Sequence, residues 1–407
     1  MRNIPRSLRT RLAVTAGRAT AALSKQLGQG EGSVIGGRVS LAIEPNSLDL
    51  LSKGRTVVLV SGTNGKTTTT SLLTAALETM GPVVSNVAGA NMFAGMVSAL
   101  SASDAKRAVL EVDEGHLPLA LSKTGAQMVV LLNLSRDQLD RVGEVRMQAQ
   151  KWRKALETGE VKVVANCDDP MVVWAAGSEN TIWVAGGSVW RLDAASCPDC
   201  GGHIEWKSQD TQVTDWRCVE CDLRRPEPTP TKVTAPATLK LPGEVNRCNA
   251  IMALTAAVEL GADPAESAGA VARLDGTGGR FARVKIAGAP ARLLLAKNPA
   301  GWTEALRIAK QDGSPLVISI NARIQDGRDP SWLWDVPYEQ LKGRFIVATG
   351  ERGRDLAVRL HYAGVDHHFV DQSNQAVLAA SQRNSGKEVD VIGNYSAFQE
   401  FRKLVGA

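Results

Sequence analysis

Short runs of aliphatic and β-branched residues alternate with helix-length stretches through most of this 407-residue chain. "TVVLVSG", "RAVLEVDE", "QMVVLLNL" and "VKVVANCD" fall between residues 56 and 168. They lack strict polar alternation, as expected of parallel strands covered by helices on both faces. A second series, "ARLLLAKN", "PLVISINA", "RFIVATGE" and "EVDVIGNY", starts at residue 291, with "TEALRIAKQ" and "GRDLAVRLHYAG" as intervening helices. The pattern predicts a lead-in over 1–50, an α/β domain over 51–285 and a smaller doubly wound, Rossmann-like α/β domain over 286–407. From about 190 to 230 the alternation stops. A polar stretch with Trp190, Trp206, Trp216 and four cysteines ends in the proline-rich "RRPEPTPTKVTAP", which reads as a small ribbon inserted into the first domain.

The lead-in departs from this picture. Arg2, Arg6, Arg9, Arg11, Arg18 and Lys25 all precede the first acid, Glu31, while Leu8, Leu12, Leu23 and Leu27 form a weak helical stripe. A solvated, partly frayed helix is the preferred expectation. The alternative is a helix that touches an anionic membrane or a lipid-linked substrate. The segment has no continuous apolar run of the secretory kind, and no stretch of the chain reaches the roughly 18 apolar residues of a membrane span. A cytoplasmic protein is expected. A hydrophobic content of 44% suits well-filled cores, and a net charge of +5 over this length is too small to argue for nucleic-acid binding.

The first predicted strand runs straight into Gly62-Thr63-Asn64-Gly65-Lys66-Thr67-Thr68, followed by the helix-compatible "TTSLLTAALETM". Strand, glycine loop and helix together form a phosphate cradle: backbone amides and the helix N-terminus face the anion. Lys66 would add a charge at the β/γ-phosphates, and Thr67 a hydroxyl for Mg²⁺. The common Walker spacing is broken, because Val60 stands where its first glycine belongs. Elsewhere, Glu111, Asp113 and Glu114 end a predicted strand at the edge where parallel sheets bind ligands. Asn246 and Asn249, three apart at a helix start, have amides that suit an adenine edge, with ordinary N-capping as the alternative. Arg280 follows two glycines and fits a γ-phosphate clamp, or else is a surface arginine after a flexible turn.

The cysteines are more specific. Cys197 and Cys200, then Cys218 and Cys221, make C-x2-C, a 17-residue gap and C-x2-C. Two thiolate pairs on tight turns provide a closed tetrahedral set for structural zinc, and a cytoplasmic setting argues against disulfides. Cys167 and Cys248 stand alone and read as buried apolar residues.

These motifs together resemble the Mur ligase superfamily. "GTNGKTTT" is similar to its ATP loop and "NLSRDQLDR" to its N-x-x-x-D-H-x-D-R stretch, with Gln138 in place of His. "LPGEVNRCNAIMALTAA" is similar to its paired-asparagine helix entry, with Val245 at the aromatic or His place, and "GGRFARV" to its G-R-x-E segment, with Ala282 at the Glu place. "GERGRDLAVRLHYAGV" resembles its C-terminal segment. Within the superfamily, the four-cysteine insert, "AKNPAG" and "DGRDPSWLWD" resemble the MurT family of synthetase subunits of lipid II isoglutaminyl synthase. The resemblance implies a Mur ligase-type central P-loop ATPase domain with a zinc ribbon, and ATP, Mg²⁺ and Zn²⁺ as cofactors. It also implies amidation of the D-Glu α-carboxylate of lipid II at the inner face of the plasma membrane. Glu111 is then the first choice for Mg²⁺, with Glu114 the alternative. Lys151 lies where some Mur ligases carry a carbamylated lysine, although in "QKWRK" a helix-surface lysine is the preferred reading. The chain has no nucleophilic Cys–His elbow of its own, and the resemblance implies ammonia from a GatD-type glutamine amidotransferase subunit in a heterodimer. In that family the synthetase chain supplies an Asp that orients the partner's His. Asp326, Asp329 and Asp335 are the candidates, and Asp335 is favoured. The rivals are a Mur-type amino-acid ligase acting on a peptidoglycan or folate-like acceptor, and a non-catalytic nucleotide-binding scaffold.

Overall fold

The computed structural model describes residues 7–26, 33–86, 90–136, 145–177, 179–188, 190–209, 212–231, 233–274, 281–383 and 387–405. The chain divides into two compact units, Met1–Leu134 with Glu144–Gly278, and Ser135–Gly143 with Gly279–Ala407. Gln138 and Arg280 lie outside the described residues.

In the first unit the order is α1 (Leu8–Gln26), α2 (Ser33–Ile43), α3 (Ser47–Ser52), β1 (Thr56–Ser61), α4 (Lys66–Glu78), β2 (Val83–Ser85), α5 (Phe93–Ala102), β3 (Arg107–Glu111), α6 (Leu117–Thr124) and β4 (Met128–Leu131). After these come α7 (Val145–Leu156), β5 (Lys162–Asn166), α8 (Pro170–Ala176), β6 (Thr181–Val184), the hairpin β7 (Ile204–Gln209) and β8 (Gln212–Cys218), α9 (Glu244–Glu259) and α10 (Pro264–Ala272). Strands β1 to β6 make a sheet in the order β2-β3-β1-β4-β5-β6, and every pairing in it is parallel. Because the strand side chains point alternately to the two faces, the sheet separates two cores. Val57, Leu59 and Leu110 belong to one, and Val58, Val60 and Val109 to the other.

Where it is described, over residues 7–26 and 33–50, the lead-in is docked. Thr10, Ala13, Val14 and Gly17 of α1 are buried, Ser40 Oγ donates to Ala13 O at 2.9 Å, and Arg18 Nε donates to Ser101 O on α5 at 2.6 Å. The leucine stripe is not the packing face: Leu8 is 76% exposed, Leu12 58% and Leu23 56%. Small residues win the buried side because they let the α1 and α2 backbones approach closely. The proline-rich exit is also ordered. Thr229 N donates to Trp183 O at 2.8 Å, and its Oγ1 accepts from Trp183 N at 3.0 Å, so the segment lies along the edge of β6. No helix among the described residues is long and apolar enough to cross a membrane.

The second unit contains β9 (Phe281–Ile286), β10 (Ala289–Leu295), α11 (Pro299–Asp312), β11 (Leu316–Ser319), β12 (Phe345–Thr349), α12 (Gly353–Tyr362), β13 (Asp366–Phe369), α13 (Ser373–Arg383), β14 (Val389–Gly393) and α14 (Tyr395–Leu404). Its sheet runs β13-β12-β11-β14-β10-β9, parallel except for the antiparallel edge strand β9. Arg292 and Asp390 stand opposite each other on β10 and β14. They form a buried two-pronged pair, Nε–Oδ1 2.7 Å and Nη2–Oδ2 3.0 Å, a geometry that offsets the desolvation of both charges.

Candidate nucleotide site, metal knuckles and carboxylate loop

The glycine loop leaves the carboxyl end of β1, which has β3 on one side and β4 on the other. This is a topological switch point, where open parallel sheets form their ligand crevice. Gly65 has φ +84°, and a Cβ there would stand 2.8 Å from Asn249 Oδ1. Glycine is required twice over, by the left-handed backbone and by the approach of α9. The loop is clamped by Asn133, just beyond β4. Asn133 O accepts from Thr63 N at 2.9 Å. Its side chain makes two hydrogen bonds with Asn64, accepting from the backbone N–H at 2.9 Å and donating to the carbonyl at 3.0 Å. The residue types did not suggest this clamp, although Asn133 is the first residue of the "NLSRDQLDR" motif.

Lys66, Thr67 and Thr68 open α4 and are buried. Lys66 Nζ donates to Gly62 O at 2.5 Å and Thr63 O at 3.1 Å, and pairs with Glu114 Oε2 at 2.9 Å. Glu111, in register with Val60, is fully buried. Asn86 holds its backbone, accepting from Glu111 N at 2.7 Å and donating to Glu111 O at 2.9 Å. Asn91 Nδ2 donates to Glu111 Oε1 at 3.3 Å, while Oε2 has no protein partner, and neither does Thr67 Oγ1. Other buried side-chain atoms among the described residues share this state, Thr69 Oγ1 and Thr70 Oγ1 of α4 among them, so what singles out Thr67 and Glu111 is their place at the carboxyl ends of β1 and β3. Two hard oxygens at the crevice match what Mg²⁺ takes from protein, beyond its waters and phosphate ligands. Thr67 and Glu111 therefore fit that ion, and the structure engages Glu114 with the lysine instead.

On α9, Asn249 is buried against the loop. Asn246 Nδ2 donates to Pro242 O at 2.6 Å, and Asn249 Nδ2 lies 3.5 Å from Asn246 Oδ1. The two amides thus meet at the helix entry, but one donor of Asn246 is committed to the backbone. Lys151 is exposed on α7. Cys167 and Cys248 are buried, and burial beside Asp168 pushes the Cys167 thiol up to about 12, so it stays protonated and unreactive.

Cys197, Cys200, Cys218 and Cys221 converge with their sulfurs within 4.8 Å of one another. The pairs at 3.6 Å (Cys197–Cys221) and 3.5 Å (Cys200–Cys218) are far beyond disulfide length. Gly202 N and Glu220 N each approach a sulfur at 3.4 Å, as amides do around a thiolate centre. The set is closed and fits a structural zinc. Protein purified without added metal should carry one zinc per chain, and Cys218→Ser should lower both that content and the melting temperature. Metal analysis giving a fully folded but zinc-free ribbon would refute the assignment.

In the second unit the three candidate carboxylates differ in surroundings. Asp326 is buried and its oxygens are taken: Oδ1 accepts from Ser396 N at 2.9 Å and Oδ2 from Ser396 Oγ, which ties it to the start of α14. Asp329 accepts from Ser331 N and Oγ, each at 2.9 Å, and the Ser331 N–H holds its carboxyl below the usual range. Asp335 closes a 3-10 turn over Ser331–Trp334. It stands 3.5 Å from Arg136 Nη1 with about a third of its side chain exposed.

Comparison with known proteins gives this geometry a family. Residues 60–257 match the Mur ligase middle domain and residues 295–398 the MurT ligase C-terminal domain. The chain is 30% identical to the lipid II isoglutaminyl synthase (glutamine-hydrolyzing) subunit MurT of Staphylococcus aureus (strain COL) over 388 residues, covering 87% of each. It is 29% identical to the Streptococcus pneumoniae (strain ATCC BAA-255 / R6) subunit of the same name over 441 aligned positions, covering 98% of each. In fold it is similar to a pseudomurein peptide ligase type C from Methanothermus fervidus (TM-score 0.67, 19% identity, 88% of this chain and 80% of that one). It is also similar to a Mycobacterium tuberculosis folylpolyglutamate synthase (TM-score 0.61, 14% identity, 96% and 99%). A phosphate loop at the switch point of a parallel sheet, a four-thiol ribbon and a second α/β unit, matched along most of the chain, place this protein in the MurT family of Mur ligases.

Proposed function

We propose that this chain is the ATP-using synthetase subunit of a two-subunit amidotransferase, which converts the D-Glu α-carboxylate of lipid II to D-isoglutamine. The observation that carries the reading is the loop's charge arrangement: a buried Lys66 ammonium at the cradle, with two buried oxygens, Thr67 Oγ1 and Glu111 Oε2, left without protein partners. The names of the MurT relatives support the choice of acceptor.

A carboxylate is a poor electrophile. Its oxygen attacks the γ-phosphorus of ATP, ADP leaves, and an acyl phosphate results. Ammonia then attacks the acyl carbon, and phosphate departs with the two electrons of the C–O bond. The chain's part is to position and neutralise anions. Amides of Gly62, Gly65 and Thr68 line the phosphates, with Thr63 and Asn64 held in place by Asn133; Lys66 and Arg280 balance charge on the transferring group, and Asn246 and Asn249 take the adenine edge. Magnesium held by Thr67 and Glu111 supplies further positive charge when bound. Ammonia comes from glutamine hydrolysed by a GatD-type partner, whose His is oriented by Asp335. Work at the inner face of the plasma membrane, by an otherwise cytoplasmic protein, fits a lipid-linked acceptor, and α1 offers it three exposed leucines.

With ATP, lipid II and Mg²⁺, phosphate release should match amide formation and require glutamine plus partner, or ammonium alone. Phosphate release that needs an amino acid and ignores ammonium would move the reading to an amino-acid ligase.

A further inference from the structure

Hydrogen bonds joined by two short backbone segments, 166–169 and 132–134, link the cysteine ribbon to the phosphate loop. On the ribbon side, Trp216, which lies on β8 and is 1% exposed, donates from Nε1 to Cys167 O at 2.9 Å. Arg225, in the ribbon's exit, donates from Nε to Asp168 Oδ1 at 2.7 Å, an ion pair with little exposure on either side chain. Both grips fall on "NCDD", the turn that follows β5. That turn binds in two directions. Asn166 Nδ2 donates to Leu132 O at 2.9 Å, and Asp169 Oδ2 accepts from Leu134 N at 2.9 Å, so the residues on either side of Asn133 are held. Asn133 in turn clamps Thr63 and Asn64 of the phosphate loop. In the other direction, Asn166 Oδ1 accepts from Gly186 N at 3.0 Å and Asp168 Oδ2 from Gly187 N at 2.8 Å. A Cβ on Gly187 would lie 3.1 Å from Cys248 Sγ, on the helix that carries Asn246 and Asn249.

We infer that the zinc ribbon positions the nucleotide loop, with Asn166, Asp168 and Asp169 as the positioning residues and Trp216 and Arg225 as the ribbon's handles. This rests on the nucleotide reading above but concerns residues outside the glycine loop itself. The physical basis is pre-organisation. A glycine-rich loop loses more conformational entropy on ordering than any other backbone, and clamps that hold it in advance lower the cost of binding an anion there. A buried charge-assisted bond such as Arg225–Asp168 is strong enough to matter in that balance.

The test uses Arg225→Gln, Trp216→Phe and Asn166→Asp in the full chain with its partner. Hydrogen–deuterium exchange of nucleotide-free protein reads the loop directly. All three variants should speed exchange in the peptide covering residues 60–70, with no change in β11 or β12. The KM for ATP should rise about three- to tenfold, the scale of one ordinary hydrogen bond, while the KM for lipid II stays constant. Zinc content should remain that of the unaltered protein, and Arg225→Lys should recover part of the ATP effect. Removing zinc with a chelator should reproduce the faster loop exchange. Unchanged loop exchange and unchanged KM for ATP in Arg225→Gln and Trp216→Phe would overturn the inference. So would a uniform loss of active enzyme with KM intact, which is the mark of a merely structural role. Absence of ATP binding by the unaltered protein would instead remove the nucleotide reading itself.

Discussion

Lys66→Ala should cut amidation by about two to three orders of magnitude and also cost stability, two effects that a second substitution separates. The ammonium sits in the cradle against Gly62 O and Thr63 O. Without it, charge developing on the transferring phosphoryl group meets one fewer fixed cation, a loss of about 10²- to 10³-fold in kcat for one preorganised electrostatic contact. The same ammonium neutralises Glu114, and both side chains are 10% exposed or less. Removing one partner of a buried pair strands the other, at a cost of about 3–5 kcal/mol. The melting temperature of Lys66→Ala should therefore fall by several degrees. Adding Glu114→Gln to Lys66→Ala removes the stranded charge and should restore most of the melting temperature without restoring turnover. Near-normal ATP turnover in Lys66→Ala would show that this loop is not the phosphate site. Failure of the double variant to regain stability would mean that Glu114 is not the group left uncompensated.

Asp335→Asn should separate the two sources of ammonia. An amide cannot stabilise an imidazolium as a carboxylate does, and in a triad the loss is on the order of 10⁴-fold. With glutamine as donor, amidation by the complex should fall steeply. With an ammonium salt at raised pH it should stay within about twofold of the unaltered complex, because the phosphate-loop machinery is intact. The structure favours a clean reading of this experiment. Asp335 is about one-third exposed and its ion pair with Arg136 spans 3.5 Å, the kind of pair worth no more than about 1 kcal/mol, so folding should be unaffected. Loss of both activities would place Asp335 in acceptor binding or folding. Loss of neither would pass the role to Asp329, since Asp326 is buried and spent on Ser396. Glutamine hydrolysis by the partner alone is the control: a partner fully active without this chain has no need of a borrowed carboxylate.

Much of the fold could be read from the order of residues, and the reason is local. "TVVLVSG" and its counterparts are apolar on both faces because their sheet is covered on both sides, and each became a strand where the pattern placed it. The cysteine spacing implied a four-thiol set because two tight turns leave thiols little freedom, and the sulfurs do converge. The loop glycines were legible for a related reason, since the backbone they demand is a local property.

What the sequence by itself determined, then, was everything carried by short-range geometry: strand and helix alternation, the phosphate loop, the knuckles and the family resemblance. Partner choice among distant side chains was decided only by the tertiary structure, because no spacing rule relates residues brought together by a crossover. Leu8, Leu12, Leu23 and Leu27 make only a weak helical stripe in the sequence, and the folded lead-in leaves Leu8, Leu12 and Leu23 exposed while burying small residues, since close approach of two helices outweighs side-chain hydrophobicity there. Glu111 and Glu114 are three apart and chemically alike. Only the fold left one with an unpartnered oxygen and gave the other to Lys66. Asp326 and Asp335 look equivalent in "DGRDPSWLWD" until α14 claims the first. The grip of Trp216 and Arg225 on the turn after β5 joins residues 49 and 57 positions apart. Such contacts exist because the parallel sheet brings the carboxyl ends of β1, β4 and β5 to one edge.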